Sequence, residues 1–247
     1  MLLEVQNKEK DHSLTLYVYS EINSAIIRYL PFTTKAMFWK EELYFETPVK
    51  LGESIRKLRS AITIDYGKLY YWPPGKAFCI FYGVSEPYTK VYDIGFLVSN
   101  PHYSLAFEDG DELEVREHKL GEEFREEASI LKKHDFTVST PLQAGDRVLA
   151  ACKFIDNTYL SVNVYKEDYG YHIESSPILE YDGLYTTIKL IKHIKSTMRN
   201  LYKYSRLDLS EEGYIVITAI ADNIEELNKA LGEIQRAYIH VYKVLLQ

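Results

Sequence analysis

The segment Tyr70-Tyr71-Trp72-Pro73-Pro74-Gly75-Lys76-Ala77-Phe78-Cys79-Ile80-Phe81-Tyr82-Gly83 limits the fold more than any other stretch of the chain. Pro73 and Pro74 lock two φ angles and remove two backbone donors, and Gly75 follows directly, so the chain must turn there. The flanks are rich in β-forming residues, which makes the unit a hairpin around a rigid turn. Its second arm, Ala77 to Tyr82, is apolar on both faces. A strand of that kind belongs in a barrel wall or another occluded position, because an open sheet would expose half of it to water.

The rest of the sequence supplies enough material for such a wall. With 247 residues, 46% hydrophobic and 26% charged, the chain can bury one large core or two small ones. No apolar run reaches the ~18–20 residues of a membrane span, and the start Met1-Leu2-Leu3-Glu4-Val5-Gln6-Asn7-Lys8 turns polar too early for a secretion signal. The expectation is a soluble cytoplasmic protein with no membrane partner. Cys79 and Cys152 both sit in apolar strand-like runs and read as small buried hydrophobes. The histidines show no ligand spacing, so neither a metal nor a cofactor is expected. A net charge of −7 makes nucleic acid an unfavoured partner. The 22 tyrosines, with frequent lysine and glutamate, suit a protein of a hot habitat.

The first half reads as short strands: Ser13–Tyr19, Ala36–Trp39, Leu43–Glu46, Ala61–Gly67, Ala77–Tyr82, Val91–Val98 and Glu112–Val115. Lys40-Glu41-Glu42 reads as a turn. One helix interrupts them at 21–30, with Ser20 as N-cap and Pro31 as terminator. Residues 119–134 are charged and helix-friendly. The second half reads as strands at 147–154, 159–165, 171–174 and 213–220, with helices at 184–204 and after Asp222, where Glu225 completes a capping box. The domains expected are a β-barrel over 1–118, a helical linker over 119–140 and an α+β sandwich over 141–247.

Two pieces resemble a family of small prokaryotic proteins with a cyclophilin-like β-barrel: Tyr44-Phe45-Glu46-Thr47-Pro48-Val49 and the stretch from Tyr71 through Trp72-Pro73-Pro74-Gly75 to Gly83. The resemblance covers about residues 1–118 and implies a closed barrel capped by helices. It makes the chain a mainly β protein: a cyclophilin-like closed barrel followed by the α+β domain. True cyclophilins place an arginine after a Phe-His pair beside a proline pocket. This chain has no Phe-His-Arg, and its nearest arginines, Arg56 and Arg59, fall in an expected loop.

Trp39, Tyr44, Trp72, Phe78 and Phe81 could wall an apolar groove, with Pro73, Pro74 and Gly75 as its rim and Glu46 as an acid within it. Large aromatics on barrel strands also simply fill cores. No nucleophile motif or phosphate loop is present. The function expected is a non-catalytic module for a small molecule or peptide. A diverged prolyl isomerase, or a small-molecule enzyme using the same groove, is the alternative.

Two helices add partner readings. Lys189, Lys192, Lys195, Arg199, Lys203 and Arg206 form a stripe over 184–206, with Ile191, Ile194, Met198 and Leu201 on the adjoining face. That stripe gives an RNA-associated factor as a third reading. Ile224, Leu227, Leu231, Ile234, Tyr238, Val241 and Leu245 form a seam that serves either its own sheet or a homodimer.

Overall fold

The computed structural model describes residues 1–245, so the last two residues of the expected 141–247 domain lie outside the described residues. The chain forms two compact units, residues 1–121 with 139–148 and residues 122–138 with 149–247. The expected linker therefore divides: its helix joins the second unit, and residues 139–148 return to the first.

The first unit contains β1 (Leu2–Asn7), β2 (His12–Val18), α1 (Ser20–Ile26), β3 (Phe32–Lys35), β4 (Met37–Trp39), β5 (Glu42–Glu46), β6 (Ser60–Ala61), β7 (Lys68–Trp72), β8 (Ala77–Phe81), β9 (Val91–Leu97) and β10 (Glu112–Glu117). They pair in the order β3-β10-β1-β2-β9-β7-β8-β5-β4, with β6 beside β9. The order brings β3 close to β5, so the sheet is a nearly closed barrel. Its interior is filled. Leu3, Val5, Leu14, Leu16, Leu43, Phe45, Leu69, Tyr71, Phe78, Ile80, Leu113 and Val115 form one buried cluster, and α1 adds Ile22 and Ile26. All of β8 is buried, as its two apolar faces require.

Two local expectations fail for identifiable reasons. Of the expected 61–67 strand only Ala61 is in a strand, paired together with Ser60 to β9. Beyond them the Asp65 amide donates to the Tyr70 hydroxyl at 2.8 Å, and Gly67 takes φ +81°. Those contacts fold the segment over the sheet as a loop. Ser20 is not a cap but the first residue of α1, its hydroxyl bonded to the Glu21 carboxylate at 3.1 Å.

Residues 139–148 carry β12 (Leu142–Gln143) and β13 (Asp146–Arg147), which form a small hairpin against β2. Glu4, 2% exposed, anchors it. This carboxylate accepts from Ser13 Oγ at 2.9 Å, from Arg116 Nη2 at 3.1 Å and from Arg147 Nη1, which also donates to the Thr140 carbonyl. Burial pushes its pKa up. Hydrogen bonds from His118, Arg147 and Ser13, with the charge of Arg147, outweigh that and hold it well below the usual carboxylate range.

The second unit contains α2 (Arg125–Lys133), β11 (Thr137–Ser139, its last residue in the first unit), β14 (Leu149–Ile155), β15 (Thr158–Glu167), β16 (Gly170–Ser175), β17 (Leu179–Glu180), α3 (Tyr185–Leu201), β18 (Ser205–Leu209), β19 (Tyr214–Ala221) and α4 (Ile224–Leu245). The sheet order is β11-β14-β15-β16-β19-β17, with β18 on β19. Helix α4 packs on this sheet and buries Leu227, Leu231, Ile234, Tyr238 and Val241, so the seam is used within its own unit. The cap of α4 lies one residue later than expected: Asn223 Oδ1 accepts the Glu226 amide at 3.0 Å, and the Glu226 carboxylate returns to the Asp222 amide. Lys189, Lys192, Lys195 and Arg199 are exposed on α3. Lys203 and Arg206 lie beyond its end, where Arg206 binds Thr218 and Asp208. Among the described residues, no helix is long and apolar enough to cross a membrane.

One acid in each unit titrates in the opposite sense to the other. The Glu4 network contributes fully above pH 4.5, the ordinary glutamate value, and is lost as pH falls below it. Arg147→Met should cost about 1–3 kcal/mol at neutral pH, because Arg116 still pairs with Glu4. It should also flatten the loss in acid, both read by urea denaturation. In the second unit Glu174 is pushed up to about 7, by burial first and then by Glu212, Asp208 and Glu211. Its raised pKa makes stability fall as pH rises from 4.5 through about 7. Glu174→Gln should remove that fall.

Candidate functional site

Successive residues of β5, β7 and β8 point to opposite faces of the barrel wall. Leu43, Phe45, Leu69, Tyr71, Phe78 and Ile80 go inward. Tyr70, Ala77, Cys79 and Phe81 go outward, and with Val91 they form a second buried cluster against which Tyr44, Ala61, Ile64 and Trp72 pack. The outer face is thus also apolar. It is covered by the segment after β6 and by residues 84–91, tied together where the Ile64 amide donates to the Glu86 carboxylate at 3.0 Å.

The cover is incomplete. A cavity of about 210 Å³ opens between Trp39, Glu42, Tyr44, Trp72, Pro87, Tyr88 and Val91. Both tryptophans of the chain line it. The turn Pro73–Lys76 fixes Trp72. The Lys76 amide closes on the Pro73 carbonyl at 3.2 Å, and the indole lies across Gly75 so closely that a Cβ there would stand 2.4 Å from the ring. Glycine is required at position 75 for this approach. The far side of the indole is held by its Nε1–H, which donates to Thr89 Oγ1 at 2.8 Å. Trp39 meets Tyr88 edge-on, ring centroids 6.3 Å apart at 86°.

Glu42 is the charged member of the lining. It is 7% exposed, and among the described residues it forms no ion pair. Burial pushes its carboxyl pKa up, and a hydrogen bond with the Cys79 thiol partly offsets this. Cys79 is pushed well up by burial and by the Glu42 charge, so it stays a protonated thiol rather than a nucleophile. Burial, then the charges of Glu42 and Asp109, also raise Tyr44.

The structure brings together Trp39, Tyr44 and Trp72 from the expected set. Phe78 faces the barrel interior, and Phe81 is buried in the outer cluster. Glu46, Pro74 and Gly75 line a separate depression with Thr33, Thr34, Pro48, Lys50 and Lys76. Pro73 lies in the turn between the two. Arg56 and Arg59 do not line the cavity, and Arg59 pairs with Asp65 at 3.1 Å. Glu42, Pro87, Tyr88 and Val91 were not anticipated. The alternation Glu42-Leu43-Tyr44-Phe45-Glu46 places Glu42 beside Tyr44, a signal masked by reading Lys40–Glu42 as a turn.

The first unit has a family counterpart. Residues 1–116 match the Cyclophilin-like family. The cyclophilin-like match ends at the last strand of the barrel, which closes at Glu117. The solution structure of a hypothetical protein from Archaeoglobus fulgidus is 27% identical, covering 47% of this chain and 93% of its own, with a TM-score of 0.37. No curated protein matches the chain.

Gly75→Ala should force the indole off the turn. Loss of the Trp72–Thr89 hydrogen bond is expected as faster solvent exchange of the Trp72 Nε1–H, with a stability loss of about 1 kcal/mol because a partly exposed ring can move.

Proposed function

We propose that the cyclophilin-like unit is a binding module that seats a ligand or peptide side chain in the pocket beside Trp72, without catalysing a reaction on it. The convergence of both tryptophans with Tyr44 and Tyr88 on one cavity carries this reading. At about 210 Å³, the space is below the ~300–1,000 Å³ of sites for drug-sized ligands. It suits a head group or a single side chain. Rigid aromatic walls give much contact area for little lost rotamer entropy.

The pocket offers little to a prolyl isomerase. Twisting an X-Pro bond faces a barrier of ~18–20 kcal/mol, and the resemblance to true cyclophilins calls for an arginine against the bond. Among the described residues the lining holds a carboxylate and no arginine. Catalysis of proline isomerisation in a test peptide should not exceed the buffer rate.

The binding reading is tested with a library of small fragments by following the indole Nε1–H resonances of Trp39 and Trp72. Bound fragments should shift both, and Trp72→Ala should weaken them at least about tenfold. Fragments that bind without moving either indole would sink the assignment.

A further inference from the structure

The chemistry of the lining narrows the ligand class, on the reading that the pocket is a binding site. Among the described residues, no lysine, arginine or histidine lines the cavity, the Lys40 ammonium reaching only the Trp39 ring, and this disfavours an anion. The polar charge present is one carboxylate, 7% exposed, on a floor of aromatic rings. A guanidinium would bring five N–H donors to a lining with a single carboxylate, leaving most of them unpaired. An alkylammonium group has no such fork to satisfy. Its charge is spread over methyl groups that sit on ring faces, where the aromatic quadrupole is negative. Trp39 already behaves this way toward the chain itself: the Lys40 ammonium stands 4.3 Å from its ring centroid.

We propose that the pocket takes an alkylated ammonium head group, its methyl carbons against Trp39, Tyr44, Trp72 and Tyr88 and its charge facing the Glu42 carboxylate. The bound cation supplies the opposite charge that Glu42 otherwise lacks among the described residues. Burial raises the pKa of Glu42, and a cation within the cavity acts in the opposite direction by favouring the ionised form.

The test titrates the full chain with choline and with its uncharged carbon isostere dimethylbutanol, reading the two indole resonances. A short peptide bearing trimethyllysine forms a third arm and separates a free small molecule from a protein side chain as the source of the head group. Choline or the peptide should bind at least about tenfold more tightly than the isostere. Glu42→Gln should cut that preference several-fold, leaving the share that the ring faces supply. Tyr88 is 81% exposed, so Tyr88→Ala should fold normally and still weaken the cation several-fold. Equal or tighter binding of the isostere overturns the cation assignment and leaves the pocket a binding site. Silence of both indoles toward all three ligands and toward the fragment library overturns both readings.

Discussion

A barrel wall has two faces, and in the first unit both must be kept from water. Alternation along each strand fills the interior with Leu3, Val5, Phe45, Phe78 and Ile80 and leaves an equal number of side chains pointing outward. The fold covers that outer face in two chemically different ways. Over β1 and β2 the cover is polar: residues 139–148 bind Glu4, Ser13 and Thr15 through Arg147, the Leu142 amide and Ser139. Over β5, β7 and β8 the cover is apolar, built from Ala61, Ile64 and Val91 against Phe81 and Cys79. The pocket exists because this second cover stops short of Trp39 and Trp72.

The walls of the pocket differ in rigidity, and that difference follows from the turn chemistry. Trp72 is clamped between the glycine backbone and Thr89, so its rotamer is fixed before any ligand arrives. Tyr88 is largely exposed and rests edge-on against Trp39. A fixed wall facing a movable one keeps the ordering cost of binding low and still lets the site close on head groups of somewhat different size. The two prolines serve this arrangement indirectly, by setting the turn that puts Gly75 under the indole.

Much of the barrel was legible in the sequence because period-two alternation and the Trp-Pro-Pro-Gly hairpin are local signals. The site was legible only in part. Phe78 and Phe81 look alike in sequence, yet the odd offset between them sends one inward and the other outward, and only the pairing with β5 and β7 settles which is which. Residues 62–67 have the composition of a strand, and their fate as a covering loop depends on Tyr70 and Glu86, contacts across the sheet that no local pattern records. Tyr88 comes from a loop with no regular structure at all. The one-residue displacement of the α4 cap has a similar origin: Asp222 and Asn223 are both good caps, and packing of the helix on its sheet selects between them.

Two of the buried acids of the barrel unit, Glu4 and Glu42, show what the fold can do with a carboxylate. Glu4 is surrounded by Arg116, Arg147 and Ser13, and its charge is fully compensated. Glu42 is nearly as buried and has a neutral thiol for company. Ionising an acid there works against desolvation that Cys79 offsets only partly. A glutamine or leucine of similar volume would fill the same space between Tyr44 and Phe81 without that cost. Packing alone therefore gives no reason for an acid at position 42. A ligand that carries the opposite charge into the pocket does, and it makes the strain of Glu42 in the free protein the source of selectivity for a cation in the bound one.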